Sequence, residues 1–136
     1  MTSLTFVTEE SSAVTTNDNR PLGVLALLGN PQPMHALLNL LREQGLQVDT
    51  VDGLAKARTS FFGAGGHDCL IIGPDVKPGV AIRVANSLRA VAPELAMATF
   101  GPELSNRSVM RTAHLGSLHP SSRAGQGALM RFLNSL

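Results

Sequence analysis

The sequence predicts an α/β fold in which five short strands alternate with five helices and lie side by side in one parallel sheet. Three features carry that expectation. Short apolar runs closed by Gly or Pro recur along the chain, as they do in strands buried on both faces. Between them lie stretches whose apolar residues fall on one helical stripe. Each strand is followed by such a helix, and units of this kind close in parallel with right-handed crossovers. The 136 residues suit a single domain, and an apolar share of 43% supplies its core.

Residues 1–20 read as a flexible Ser/Thr-rich tail, with a short extended stretch at Leu4–Val7. Thr8, beside Glu9 and Glu10, is its candidate for modification. The domain itself runs over residues 21–136. Gly23 to Leu28 is the first strand, closed by Gly29-Asn30-Pro31. Met34 to Gln44 is a helix with Leu37, Leu38, Leu40 and Leu41 on one stripe, and Gly45 is its C-cap. Gln47 to Val51 is a less apolar second strand, hence an edge, and Leu54 to Phe62 a helix that Gly63-Ala64-Gly65-Gly66 ends. Cys69 to Ile72 is the third strand, and Val80 to Val91 the helix stopped by Pro93. Leu95 to Phe100 is the fourth strand, closed by Gly101-Pro102. Ser105 to His114 is the expected fourth helix, with Ser105 as N-cap. Leu115 to Leu118 is a minimal fifth strand, and Ala124 to Leu136 the last helix.

Composition narrows the function classes. A net charge of +1 argues against direct nucleic-acid binding or an anionic membrane surface. With no Trp and no Tyr, the chain has no ready platform for stacking bases. Cys69 is the only cysteine, so no intrachain disulfide forms. No apolar run is long enough to span a bilayer, and the acidic, hydroxyl-rich start is unlike a signal peptide. The expectation is a soluble cytoplasmic protein.

Two compact plans suit this element order: a flavodoxin-like sheet in the order 2-1-3-4-5, or a truncated Rossmann half. The first puts ligands and chemistry at the carboxyl ends of strands one and three, helped by strands four and five. Those ends are Gly29-Asn30, Gly73-Pro74, Thr99-Phe100 and His119-Pro120.

From Val24 to Phe132 the chain resembles the receiver domain of bacterial two-component response regulators, by spacing and pattern more than by identity. Leu28-Gly29-Asn30-Pro31 falls where receivers carry an acidic pair, a polar residue and often proline. The stretch from His67 to Ile72 is similar to the lead into their phosphoacceptor, Thr99 matches their strand-four Thr or Ser, and His119-Pro120 stands for their Lys-Pro pair. The resemblance implies the 2-1-3-4-5 sheet. It also implies, by its departures, that phosphoryl chemistry is gone. The acidic pair falls on Leu28 and Gly29, the phosphoacceptor on Gly73, and the lysine on His119. Mg²⁺ needs several hard oxygen ligands, which these residues do not offer. Asp75 lies past the strand end and is the one carboxylate that could substitute, while Asp52 reads as a solvated loop residue. The aromatic that couples such domains to output is also missing from Leu115-Gly116-Ser117-Leu118.

Other constellations have plainer readings. Gly63 to Gly66 follows a helix and precedes a strand, the wrong polarity for cradling phosphate. His35, His67, His114 and His119 lack metal-ligand spacing, and no strand end carries a nucleophile elbow. No metal or cofactor is expected. Arg107, Arg111, Arg123 and Arg131 occur without any acidic residue after Asn106, which suggests a basic contact face on helix four, strand five and helix five. The expected function is a non-phosphorylatable pseudo-receiver that binds a protein partner or a second copy of itself in bacterial signalling or transcriptional regulation. The alternatives are a small-ligand or anion-binding regulatory domain using the vacant receiver pocket, and an atypical phospho-receiver acting through Asp75.

Overall fold

The structure, a computed structural model, describes residues 20–104 and 111–136. The expected tail, but for Arg20, lies outside them, as do residues 105–110 and with them Arg107. Strand β1 (Gly23–Leu27) leads through a short 3-10 turn (Gln32–Met34) into α1 (His35–Glu43). Then come β2 (Gln47–Val51), α2 (Leu54–Gly63), β3 (Cys69–Ile72), α3 (Pro78–Val91), β4 (Ala96–Thr99), β5 (Thr112–His114) and α4 (Arg123–Asn134). The five strands are all parallel and ordered β2-β1-β3-β4-β5, as a flavodoxin-like fold requires.

Alternation along the central strands divides the core. Val24, Ala26, Cys69 and Ile71 point to the face covered by α1 and α4, meeting Leu37, Leu41, Leu129 and Leu133. Leu25, Leu27, Leu70 and Ile72 point to the other face, meeting Ala57, Phe61, Val84 and Leu88 of α2 and α3. Every residue of β3 and β4 is buried, which is why those strands read as unbroken apolar runs.

Local chemistry sets the helix ends. Gly45, at φ 90°, closes α1, with its amide bonded to Arg42 O and that of Leu46 to Leu41 O. Pro78 begins α3, where its missing N–H costs nothing. Ser122 caps α4, its hydroxyl accepting from the Gly125 amide at 3.0 Å.

The chain departs from expectation after β4. The helix expected over Ser105–His114 does not run to His114: Thr112–His114 is β5, in register with Met97–Thr99. Leu115–Leu118, the expected fifth strand, is instead a turn. The Leu115 amide makes one last bond to Thr99 O at 2.7 Å, and the Leu118 amide then folds back onto Leu115 O. As an edge strand with one strand neighbour, β5 has half-exposed side chains. It therefore lacks the apolar run that marks β3.

Candidate functional site

The carboxyl ends of the strands, where a ligand is expected in this topology, are packed backbone to backbone. A Cβ built on Gly29 would lie 2.7 Å from Asp75 O. One on Gly101 would lie 2.5 Å from Gly73 O and 3.0 Å from Pro74 O, and one on Gly116 would lie 3.2 Å from Gly101 O. The loops after β1, β3, β4 and β5 thus abut in turn, and glycine is what allows the contact. Asp75 ties two of them together, its Oδ2 accepting the Asn30 amide at 2.7 Å. Thr99 is 1% exposed and serves its own loop: its hydroxyl donates to Pro102 O at 3.0 Å and accepts from the Gly101 amide at 3.1 Å. Leu28 is buried in the core on the α1 side.

Of the residues named from sequence, Gly29, Asn30, Gly73 and Thr99 gather at this end, and His119 follows in the loop after β5. β5 ends at His114, in register with Thr99, and His119 lies in the loop leading to α4. There its Nδ1 lies 2.7 Å from Ser121 Oγ and accepts the Ser121 amide at 3.0 Å, while its carbonyl accepts the Ser122 hydroxyl. A concavity at this end holds about 260 Å³, between Leu28, Gly29, Pro31, Thr50, Val51, Asp52 and Lys56. Asp52 in it is paired with Lys56 at 3.5 Å.

Of the candidate arginines, Arg111 and Arg123 lie at opposite ends of the sheet. Arg111, at φ 58°, precedes β5 at the amino end of the sheet and reaches Glu94 at 3.8 Å, whereas Arg123 opens α4 at the carboxyl end. Arg89, absent from the sequence-based candidates, does structural work. Its guanidinium donates to Leu95 O at 3.1 and 3.0 Å and to Thr112 Oγ1 at 3.1 Å, fastening α3 to the start of β4 and to the edge strand β5. Burial lowers its pKa, and the charge of Arg111 lowers it further. Cys69 is fully buried, and burial above all, then the charge of Asp68, pushes its thiol pKa well up against the opposing pull of Arg111. It is neither a nucleophile nor a ligand in this state.

A second concavity lies at the opposite end, under the amino ends of β1, β2 and β3. It holds about 750 Å³ and is walled by Phe61, Phe62, Val91 and Ala92, with Asp49 and His67 among its polar lining. His67 Nε2 sits 2.8 Å from Asp49 Oδ2, and its ring stacks on Phe61 at a centroid distance of 5.7 Å. Nearby, Arg20 grips Asp68 through two contacts of 3.0 and 3.1 Å, and Asp68 also takes the Gly23 amide. Sequence reasoning passed over this end because its residues come from distant segments with no motif spacing. The only local signal was an acidic residue, Asp49, in register with the buried Leu25 of the neighbouring strand.

Among the described residues, no cluster of three or more His, Cys, Asp or Glu is arranged to hold a metal ion, and no helix is long and apolar enough to cross a membrane. Comparison of the chain with protein-family models, with curated proteins and with solved structures finds no match.

Proposed function

We propose that this chain is a receiver-like module that works by binding protein rather than by catalysis. Its role is to engage a partner or a second copy of itself in bacterial signal transduction or transcriptional regulation. The observation that carries the reading is the packing at the carboxyl ends of the strands. Phosphoryl transfer to a carboxylate requires a nucleophile, a divalent cation and room for the phosphoryl group at one place. Gly29 and Gly101 instead bring loop backbones against Asp75, Gly73 and Pro74, at separations that leave no space for even a methyl group. The carboxylate packed against Gly29, Asp75, is engaged with the Asn30 amide, and Asp52 is paired with Lys56.

Contact is proposed through β5 and α4, the side on which such domains meet partners. β5 supports this as a short edge strand, with its outer backbone row unpaired by any strand among the described residues. Sheet edges of this kind readily accept a second chain. The test is an amide NMR titration of the full chain with Mg²⁺ and beryllofluoride, followed by sedimentation equilibrium. Amides of Gly29, Gly73 and Thr99 are expected to stay in place, and any self-association is expected to broaden Thr112–His114 and α4. Saturable shifts gathered at Gly29, Gly73 and Thr99 would restore phosphoryl chemistry and end the proposal.

A further inference from the structure

We propose that the cavity under the amino ends of β1, β2 and β3 binds a small aromatic cation, of the aryl-amidine or aryl-amine class. This goes beyond the interaction-module reading and does not depend on it, because the cavity and the β5–α4 side lie in different parts of the fold. Room comes first. A volume of about 750 Å³ sits inside the usual range for small-molecule sites. The apolar part of its lining is left open: Phe62 is 49% and Val91 54% exposed. These are two of the three large apolar side chains that stay exposed among the described residues, and both line this cavity. Exposed apolar groups concentrated in one concavity mark a contact surface rather than scatter. The aromatic wall is also held in shape. Phe61 meets Phe62 edge-on, and the Arg58 guanidinium lies 5.3 Å from the Phe62 ring centre while donating to Ser87 Oγ at 2.6 Å.

Charge then selects the class. Arg20 lines the cavity as well, but its charge is offset by Asp68 in a two-point contact. Asp49 lies on the sheet face that α2 and α3 cover, in register with Leu25, and its side chain is 54% exposed. No Lys or Arg contact to it is seen among the described residues. Its only partner there is the His67 ring. A carboxylate beside aromatic walls favours a flat ring carrying a positive N–H group, through a charge-assisted bond and contact with the rings.

The third observation is His67 itself. Its side chain is 3% exposed, it lines the cavity, and its Nδ1 has no hydrogen-bond partner. Buried polar atoms are nearly always satisfied, and an enclosed orphan on a residue that lines a cavity points to a group that arrives from outside as the ring turns. With Nε2–H assigned as donor to Asp49, Nδ1 presents a lone pair. A ligand N–H, directly or through a water it brings along, is the complement. Three features of one cavity therefore converge: exposed apolar side chains, a carboxylate whose one partner among the described residues is His67, and a buried ring nitrogen with no partner.

Benzamidine is the probe, titrated into the ¹⁵N-labelled full chain, with benzoate as the control of opposite charge and similar shape. Saturable shifts are expected at Gly65, Gly66, Val91 and Ala92 with benzamidine and none with benzoate. Asp49→Asn keeps an acceptor for His67 while removing the charge, and it should weaken benzamidine by about tenfold or more. If that variant does not fold, Val91→Arg puts a like charge on the exposed rim and should weaken the probe comparably. No saturation, equal response to benzoate, or affinity unchanged in the folded variant would each overturn the proposal.

Discussion

Single atoms decide the character of the strand ends. Gly101 sits where a methyl group would press 2.5 Å from Gly73 O, and that neighbour is backbone, which cannot swing aside. Gly101→Ala should therefore destabilise the fold by about 1–3 kcal/mol, read from urea unfolding midpoints. Gly79→Ala is the matched control, since nothing lies within 4 Å of its added carbon. Cys69 gives a pH signature. Burial raises its folded pKa above the unfolded value of about 8.5. The native state thus holds a proton that the unfolded chain releases. The stability it contributes is full below about pH 8.5 and declines above it, by up to about 1.4 kcal/mol per pH unit. Urea midpoints measured from pH 7 to 10 should show this fall, and Cys69→Ala should flatten it. With no Tyr in the chain, few other groups titrate in that window. An unchanged slope in the variant would mean that the thiol is not the source.

At the level of elements, the weakest part of the sheet is β5, and Arg89 is what braces it. Arg89→Met keeps much of the stem but removes the donors to Leu95 O and Thr112 Oγ1. A loss of about 1–3 kcal/mol is expected, and hydrogen exchange should speed up at the Met97 and Leu115 amides, which bond across the β4–β5 edge, before it does in β1 or β3. Uniform acceleration across the sheet would refute the brace. The same contrast explains what the sequence could reveal. β3 and β4 lie inside the sheet with both faces covered, so Cys69–Ile72 and Ala96–Thr99 announce themselves as apolar runs. β5 has one strand neighbour, and its position is set by pairing with Met97–Thr99 and by a side chain reaching over from α3. Neither leaves a periodic trace in Thr112-Ala113-His114. Gly29, Gly73 and Thr99 needed only the parallel topology to be found, whereas His67 and Asp49 meet across a strand, a relation no spacing rule encodes.

Taken whole, the molecule is one sheet shared by two apolar layers, so neither layer has a wall of its own. Ile71 faces the α1–α4 side and Ile72 the α2–α3 side, and both are 0% exposed. Truncating either to Ala should cost about 2–5 kcal/mol, against a total stability of about 5–15 kcal/mol for a typical domain. Because β3 belongs to both layers, each variant should still unfold in a single transition. Separate transitions at the two faces, followed through methyl resonances of Leu129 and Leu88, would contradict this. The glycine contacts also fix the order in which phosphate-accepting chemistry could be engineered into this scaffold. Position 73 is the permissive one: its added carbon would meet Leu27 O at 3.4 Å and the Met34 and Leu28 side chains at 3.5 and 3.6 Å, so an aspartate could be seated there. Positions 29 and 101 are closed by main chain. An engineer would have to lengthen or redirect the segment Gly73–Asp75 first, since until it moves a newly installed nucleophile has no berth beside it for a cation.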